Sequence, residues 1–166
     1  MGTQLAKYDF EQIYSENKGM VWRLISRYVF CRQDREDLFQ EVFLKVHKAL
    51  AGFWGQAAVK TWIYRIAVNT ALNYVKRQNR YKWMVNIFEH LRPVSQGVCD
   101  PSELEAYEPL KKLNARQRMV LILSDIEDKK MDEIADIMKL PVGTVKSNLH
   151  RAREIVKKEV SRNERA

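Results

Sequence analysis

The 166-residue chain has few of the residues that interrupt helices or cross-link small domains. It contains four prolines, six glycines and two cysteines, and no apolar run approaches the ~18 residues that a membrane span requires. Cys31 and Cys99 stand far apart without CxxC spacing, which indicates two unpaired thiols and neither a disulfide framework nor a zinc site. The start of the chain lacks a signal-peptide core. We therefore expect a cytoplasmic protein without stable membrane insertion.

Sequence motifs of common enzyme classes are also missing. The three histidines are scattered, and no HExxH, GxSxG, Walker or GxGxxG pattern occurs. Paired carboxylates or a metal cluster, which a metal-dependent nuclease needs, do not accompany the basic segments. The sequence therefore predicts no catalytic residue, no metal and no cofactor, and a nucleic-acid enzyme is the third alternative.

The charge of the chain is strongly one-sided. Its formal net charge is +8 at pH 7, and its hydrophobic content of 46% argues against wholesale disorder. A basic, folded chain favours a polyanionic partner. Nucleic acid is the first candidate, and an anionic membrane surface is the competing one.

A segment without helical period divides the sequence. Three of the four prolines lie between residues 90 and 110, and residues 100–108 hold four acids and no base. Apolar residues follow helical spacing on both sides, and no alternating strand pattern occurs. We predict an all-α protein of two small helical domains joined by a flexible linker, the second a helix-turn-helix. The predicted division is 1–83, a linker at 84–108, and 109–166, with helices at about 8–30, 34–50, 59–82, 109–125, 131–139 and 142–160.

Residues 131–158 follow the pattern of a helix-turn-helix. One apolar face consists of Met131, Ile134, Ala135 and Met138, and the next of Val142, Val145, Leu149, Ala152 and Val156. A tight turn is predicted at Pro141 to Gly143. The opposite side of the second helix carries side chains suited to base edges and phosphates: Ser147, Arg151, Lys158 and, at its edge, His150. The alternative is a solvated helix whose charges only maintain solubility.

Capping residues predict several helix starts. Asn114 with Gln117 forms a capping-box pattern, and Asp34 precedes an acidic first turn. Lys130 stands where a capping hydroxyl is usual, so either Asp128 caps the following helix or its first turn frays.

Residues 60–82 form a second basic helix. Five polar side chains fall within an arc of about 80° at ~100° per residue, namely Arg65, Asn69, Asn73, Lys76 and Arg80. The far side is apolar, with Ile63, Ala67, Val68, Ala71 and Val75. Amides within a basic stripe suit base reading between phosphate contacts. A solvated face is the alternative.

An aromatic loop precedes this helix at Phe53, Trp54 and Gly55. Such a loop can stack on or enclose an unpaired base. Taken alone, it is more typical of a core or a turn. Trp62, Tyr64 and Tyr74 are expected to pack within the protein because the helix has to bury an aromatic-rich face.

Three segments occur in a recognisable order: DREDLFQEVFLKVHKAL, TWIYRIAVNTALNYVKR and LNARQRMVLILSDIEDKKMDEIADIMKLPVGTVKSNLHRAREIV. Together they resemble the bacterial sigma-70 family of transcription initiation factors, specifically its extracytoplasmic-function (ECF) type, over nearly the whole chain. The resemblance implies a protein without catalysis that binds the β′ clamp helices and β flap of core RNA polymerase. It also implies recognition of the minus-35 and minus-10 promoter elements, DNA melting, and an anti-sigma factor as a further partner.

The resemblance also implies roles for single residues. Asp37, Gln40 and Glu41 match the family's DLxQE motif for polymerase binding. Asn69 and Asn73, with Phe53 and the loop after it, match positions that capture non-template bases. The expected minus-10 surface is Phe53, Trp54, Arg65, Asn69, Asn73, Lys76 and Arg80. The expected minus-35 surface is Lys146, Ser147, His150 and Arg151, whereas Arg153 is expected to touch the DNA backbone or to pack.

The alternative from a different class is a one-component helix-turn-helix regulator. Its first domain would sense a ligand or dimerise. Co-purification with core polymerase distinguishes the two functions.

Overall fold

The structure, a computed structural model, describes residues 9–53, 55, 58–88 and 108–163. Within these ranges the regular structure is helical, as predicted. The helices are α1 (Phe10–Tyr28), α2 (Arg32–Leu50), α3 (Val59–Phe88), α4 (Glu108–Lys111), α5 (Ala115–Leu121), α6 (Met131–Met138) and α7 (Val142–Asn163). A π-helical turn, Ile122–Ile126, follows α5 directly.

Helices α1, α2 and α3 form the first module, and each packs on the other two. The predicted apolar side of α3 is its buried side, with Ile63, Ala67, Val68 and Ala71 fully buried and Val75 7% exposed. Tyr64 is also buried, and Trp62 and Tyr74 are partly buried against the core, as expected. Cys31 is a buried free thiol, whereas Cys99 lies outside the described residues.

Helices α4 to α7 form the second module, in which α7 contacts α4, α5 and α6. The apolar faces predicted for α6 and α7 are the buried ones. Val145 and Ala152 are fully buried and Leu149 is 5% exposed. The helix-turn-helix is therefore packed against the hydrophobic core of the second module.

Several predicted boundaries need correction. The α3 helix extends to Phe88, past the predicted end at residue 82 and the predicted linker start at 84. The single helix predicted at 109–125 is divided at Asn114, whose side chain accepts from the Gln117 backbone N–H at 2.9 Å. The Gln117 side chain accepts from the Asn114 N–H at 3.0 Å, so the predicted capping box is confirmed. Asp34 lies inside α2, which begins at Arg32.

The turn of the helix-turn-helix differs from the prediction. Its left-handed residue is Lys139, at φ 52°, and the N–H of Leu140 donates to the Ala135 carbonyl at 3.0 Å. Gly143 lies in the first turn of α7, which starts where the Pro141 carbonyl accepts from the Thr144 N–H at 2.9 Å. The chain therefore turns at residues 139–141, two residues earlier than predicted.

The start of α6 is capped without Asp128. The Lys130 N–H donates to the Glu133 carboxylate at 2.9 Å, and the Lys130 carbonyl accepts from Ile134 at 3.0 Å. The first turn of α6 is therefore hydrogen-bonded and does not fray. Asp128 instead adopts a left-handed conformation at φ 51°, and the helix is capped at Lys130, so neither of the two alternatives, a cap by Asp128 or a frayed first turn, is correct.

The two modules pack against each other, because α3 contacts both α5 and α6. Tyr28, at the end of α1, is fully buried and donates from its hydroxyl to the Ala115 carbonyl at 2.8 Å. Two ion pairs, Arg27 with Glu127 and Arg65 with Asp136, also join the modules. The sequence predicted two modules but not this contact.

Candidate nucleic-acid interface

The exposed side of α7 carries the residues predicted to read DNA. Lys146, Ser147, His150 and Arg151 are all exposed, because the apolar stripe on the other side turns them outward. The Ser147 hydroxyl donates to the Thr144 carbonyl at 3.0 Å. The structure therefore brings together a hydroxyl, an imidazole and two cations on one rigid helix face.

Arg153, on the same helix, is exposed but forms an ion pair with another residue of the chain. Its guanidinium donates two hydrogen bonds to Asp125, at 3.0 and 2.7 Å. These bonds hold the pKa of the Asp125 carboxyl below its ordinary value, because the bound guanidinium favours the charged form. Arg153 therefore links α7 to the π-helical turn through an ion pair on the surface.

The polar face of α3 is only partly free. Asn69, Asn73, Lys76 and Arg80 are exposed. Arg65, at the same face, pairs with Asp136 of α6, and its buried Nε has no hydrogen-bond partner among the described residues. The structure therefore groups four of the five predicted helix residues in solvent and places the fifth in the contact between the modules.

In the aromatic loop before α3, the aromatic side chain that the structure describes is that of Phe53. Its ring stacks on the ring of Trp62, with centroids 4.5 Å apart and 29° between the planes. Trp54 lies outside the described residues. Phe53 is therefore anchored to the first turn of α3.

The polar residues of the DLxQE motif lie on the outer side of α2, whereas its leucine, Leu38, is buried. Asp37 and Gln40 are exposed, and Glu41 is partly buried and pairs with Lys45 at 2.7 Å. Leu44, which the sequence analysis did not single out, is 59% exposed beside them. Its position on the outer side of a helical wheel was the signal that could have identified it.

Arg118 is a second residue that the sequence analysis missed. It is 8% exposed, donates to the Leu110 carbonyl at 3.1 Å and lies 4.6 Å from the centre of the Phe30 ring. Burial lowers the pKa of its guanidinium, because the low-dielectric surroundings disfavour the charged form. Carbonyl oxygens and aromatic rings stabilise this cation at the contact between the modules.

The described residues contain no group of three or more His, Cys, Asp or Glu side chains that could hold a metal ion. None of the helices within the described ranges is long and apolar enough to cross a membrane.

Comparison with known protein families agrees with the division into two modules. The family model for sigma-70 region 2 matches residues 13–81, and the model for sigma-70 region 4 matches residues 104–156. The first match covers α1 to most of α3, and the second covers α4 to most of α7.

The chain is also similar to several characterised proteins. It is 34% identical to the ECF RNA polymerase sigma-E factor of Haemophilus influenzae, over 93% of this chain and 88% of the relative. It is 38% identical to the protein of that name from Escherichia coli K12, over 82% and 78% of the two chains.

A solved structure shares the fold. It is the sigma factor RpoE in complex with the anti-sigma factor NepR from Bartonella quintana, with a TM-score of 0.67 and 21% identity, over 92% of this chain and 97% of that one. Because the two family models together match most of the sequence and the relatives align with nearly all of it, this chain belongs to the sigma-70 family of RNA polymerase sigma factors, in its extracytoplasmic-function branch.

Proposed function

We propose that this sigma factor binds core RNA polymerase through the exposed side of α2 and recognises the two promoter elements with α3 and α7. The observation that carries the proposal is a pair of exposed polar faces on two separate modules of one chain. Asn69, Asn73, Lys76 and Arg80 form the first face. Lys146, Ser147, His150 and Arg151 form the second.

The first face is suited to the minus-10 element. An asparagine amide both donates to and accepts from a base edge, and the adjacent cations bind phosphates. Phe53, with Trp54 after it, would enclose a base that leaves the stack, which stabilises melted DNA. We assign strand opening to this module.

The second face is suited to the minus-35 element. A helix that presents a guanidinium, an ammonium, an imidazole and a hydroxyl on one side fits the major groove. Because both modules belong to one chain, binding of one element raises the effective concentration of the other module at its own element. Two DNA contacts that are weak separately then give a high overall affinity for the promoter.

The proposed mechanism requires binding energy only, so we assign no catalytic activity to the chain. It would act in the cytoplasm, where core polymerase and the chromosome are found. An anti-sigma factor, such as the partner of the RpoE structure, would hold it inactive by covering one of these surfaces.

Run-off transcription tests this function. Core polymerase from the same organism, supplied with this chain and genomic promoter fragments, is expected to start transcription at defined sites. Transcripts no more abundant than with core polymerase alone would refute the proposal. Binding to DNA without binding to core polymerase would instead identify a one-component regulator.

A further inference from the structure

Leu44 is the most exposed large hydrophobic side chain in the described part of the chain, at 59%. The helix it belongs to is well packed, since Val42 and Val46 are fully buried. At ~100° per residue, Leu44 lies diametrically opposite the midpoint of these two valines. It therefore points straight away from the core of the first module.

An isolated exposed leucine is ordinary on a protein surface. The surroundings of Leu44 distinguish it, because on the helical wheel Asp37, Gln40, Glu41 and Lys48 all fall within about 60° of it. Asp37 and Gln40 make no side-chain hydrogen bond or ion pair with other described residues. An apolar group is thus surrounded by four polar groups, and two of them, Asp37 and Gln40, have side chains whose bonding capacity is unused.

An exposed leucine surrounded by polar side chains is typical of a protein-binding hot spot. In such sites a central apolar side chain enters a pocket of the partner, and a polar rim excludes water around it. The carboxylate of Asp37, which has no ion pair among the described residues, is repelled by DNA and anionic lipid, which carry charge of the same sign. It favours a partner with basic side chains.

We propose that Leu44 is the apolar anchor by which α2 docks on the β′ clamp helices of core RNA polymerase. This inference rests on the proposed function, which assigns polymerase binding to the same side of α2. In the complex, Leu44 enters an apolar pocket between basic side chains, and Asp37, Gln40 and Glu41 bond to the rim of that pocket. The DLxQE residues supply orientation, and Leu44 supplies burial of apolar surface.

The test measures affinity for two probes, with the full-length chain immobilised for interferometry. The probes are core polymerase and an isolated β′ clamp-helix fragment from the same organism. Leu44→Gln keeps the side-chain size and helix propensity but makes the tip polar, and we expect it to raise Kd for both probes about tenfold or more. Leu44→Met, which remains apolar, is expected to stay within about twofold of the parent protein.

Val160→Gln is the matched control, because Val160 is an exposed aliphatic side chain, at 42%, on α7 of the other module. It should leave the affinity for the clamp-helix fragment unchanged. Circular dichroism should show the parent helical content in every variant, because each site is exposed. If the parent binds both probes and Leu44→Gln binds them equally well, the anchor is refuted while the proposed function stands.

A loss of affinity for core polymerase but not for the fragment would overturn the assignment to the clamp helices. Failure of the parent chain to bind core polymerase at all would refute the proposed function itself.

Discussion

The hydroxyl of Tyr28 donates a hydrogen bond of 2.8 Å to the carbonyl oxygen of Ala115, so the end of α1 is fixed to the start of α5. Tyr28 belongs to the module that matches region 2, and Ala115 belongs to the module that matches region 4. The two modules are therefore joined through a buried polar contact as well as through the chain between them.

Tyr28→Phe removes this bond and keeps the ring. We expect the free energy of unfolding to fall by about 1 kcal/mol, because a buried hydrogen bond is lost without a large cavity. Urea denaturation followed by circular dichroism measures the change. Tyr14→Phe is the control, since Tyr14 is 37% exposed. Equal stability of Tyr28→Phe and the parent protein would show that the bond contributes nothing to folding.

Alkaline pH should weaken the fold through the buried tyrosines. Burial raises the pKa of Tyr28 and of Tyr64, and the negative charge of Glu127 raises that of Tyr64 further. A raised pKa means that the folded state holds its proton more tightly than the unfolded state, whose tyrosine pKa is about 10. Their contribution is thus complete below about pH 10 and declines above it, by up to ~1.4 kcal/mol per pH unit for each group.

Urea titrations between about pH 9 and 11 would show this loss. In Tyr28→Phe the slope of stability against pH should be shallower than in Tyr14→Phe. Identical slopes in the two variants would contradict the assignment to Tyr28.

The ion pair between Arg65 and Asp136 should contribute little and depend on salt. The Asp136 side chain is 61% exposed, so solvent screens the pair, which contributes between about 0 and 1 kcal/mol. A double-mutant cycle of Arg65→Ala and Asp136→Asn measures the coupling energy. We expect a small favourable value at low salt that disappears at high salt. A coupling that persists at high salt would contradict a screened surface pair.

Arg151 and Arg153 lie on the same helix but should behave differently. Arg151 is exposed without an ion pair among the described residues, whereas Arg153 is bonded to Asp125. We expect Arg151→Ala to weaken binding to the proper minus-35 sequence by ~1 to 3 kcal/mol if it makes a bidentate base contact. Arg153→Ala should leave sequence preference unchanged and reduce stability slightly.

Holoenzyme binding to promoter fragments with proper and scrambled minus-35 sequences distinguishes the two arginines. If Arg151→Ala lowers the affinity for both fragments equally, Arg151 contacts a phosphate and does not read a base.

Local patterns in the sequence predicted the local structure well. The apolar stripe of α7 and the Asn114 capping box both follow from residues a few positions apart, and both are confirmed. The turn was placed wrongly because Pro141 and Gly143 are the usual turn formers. The structure instead uses Lys139 in a left-handed conformation, which few residues other than glycine adopt.

Contacts between residues far apart in the sequence could not be predicted from local sequence patterns. Tyr28 and Ala115 are 87 positions apart, and Arg153 and Asp125 are 28 apart. Neither pair shares a periodic pattern, so only the packing of the helices brings each together. For the same reason, the helical wheel of α3 placed Arg65 with its four neighbours. The wheel contains no information about Asp136 on another module.

Asn69 allows a direct test of whether the first module opens the promoter DNA. It is exposed on α3. If its amide captures an unpaired base, Asn69→Ala should impair promoter opening while binding of core polymerase stays near that of the parent protein. Permanganate footprinting of the holoenzyme on promoter DNA reports unpaired thymines. Gln12→Ala removes an exposed amide from α1, to which we assign no contact with DNA or polymerase, and serves as the control. Unchanged melting by Asn69→Ala would reject the base-capture role and leave the amide as part of a solvated face.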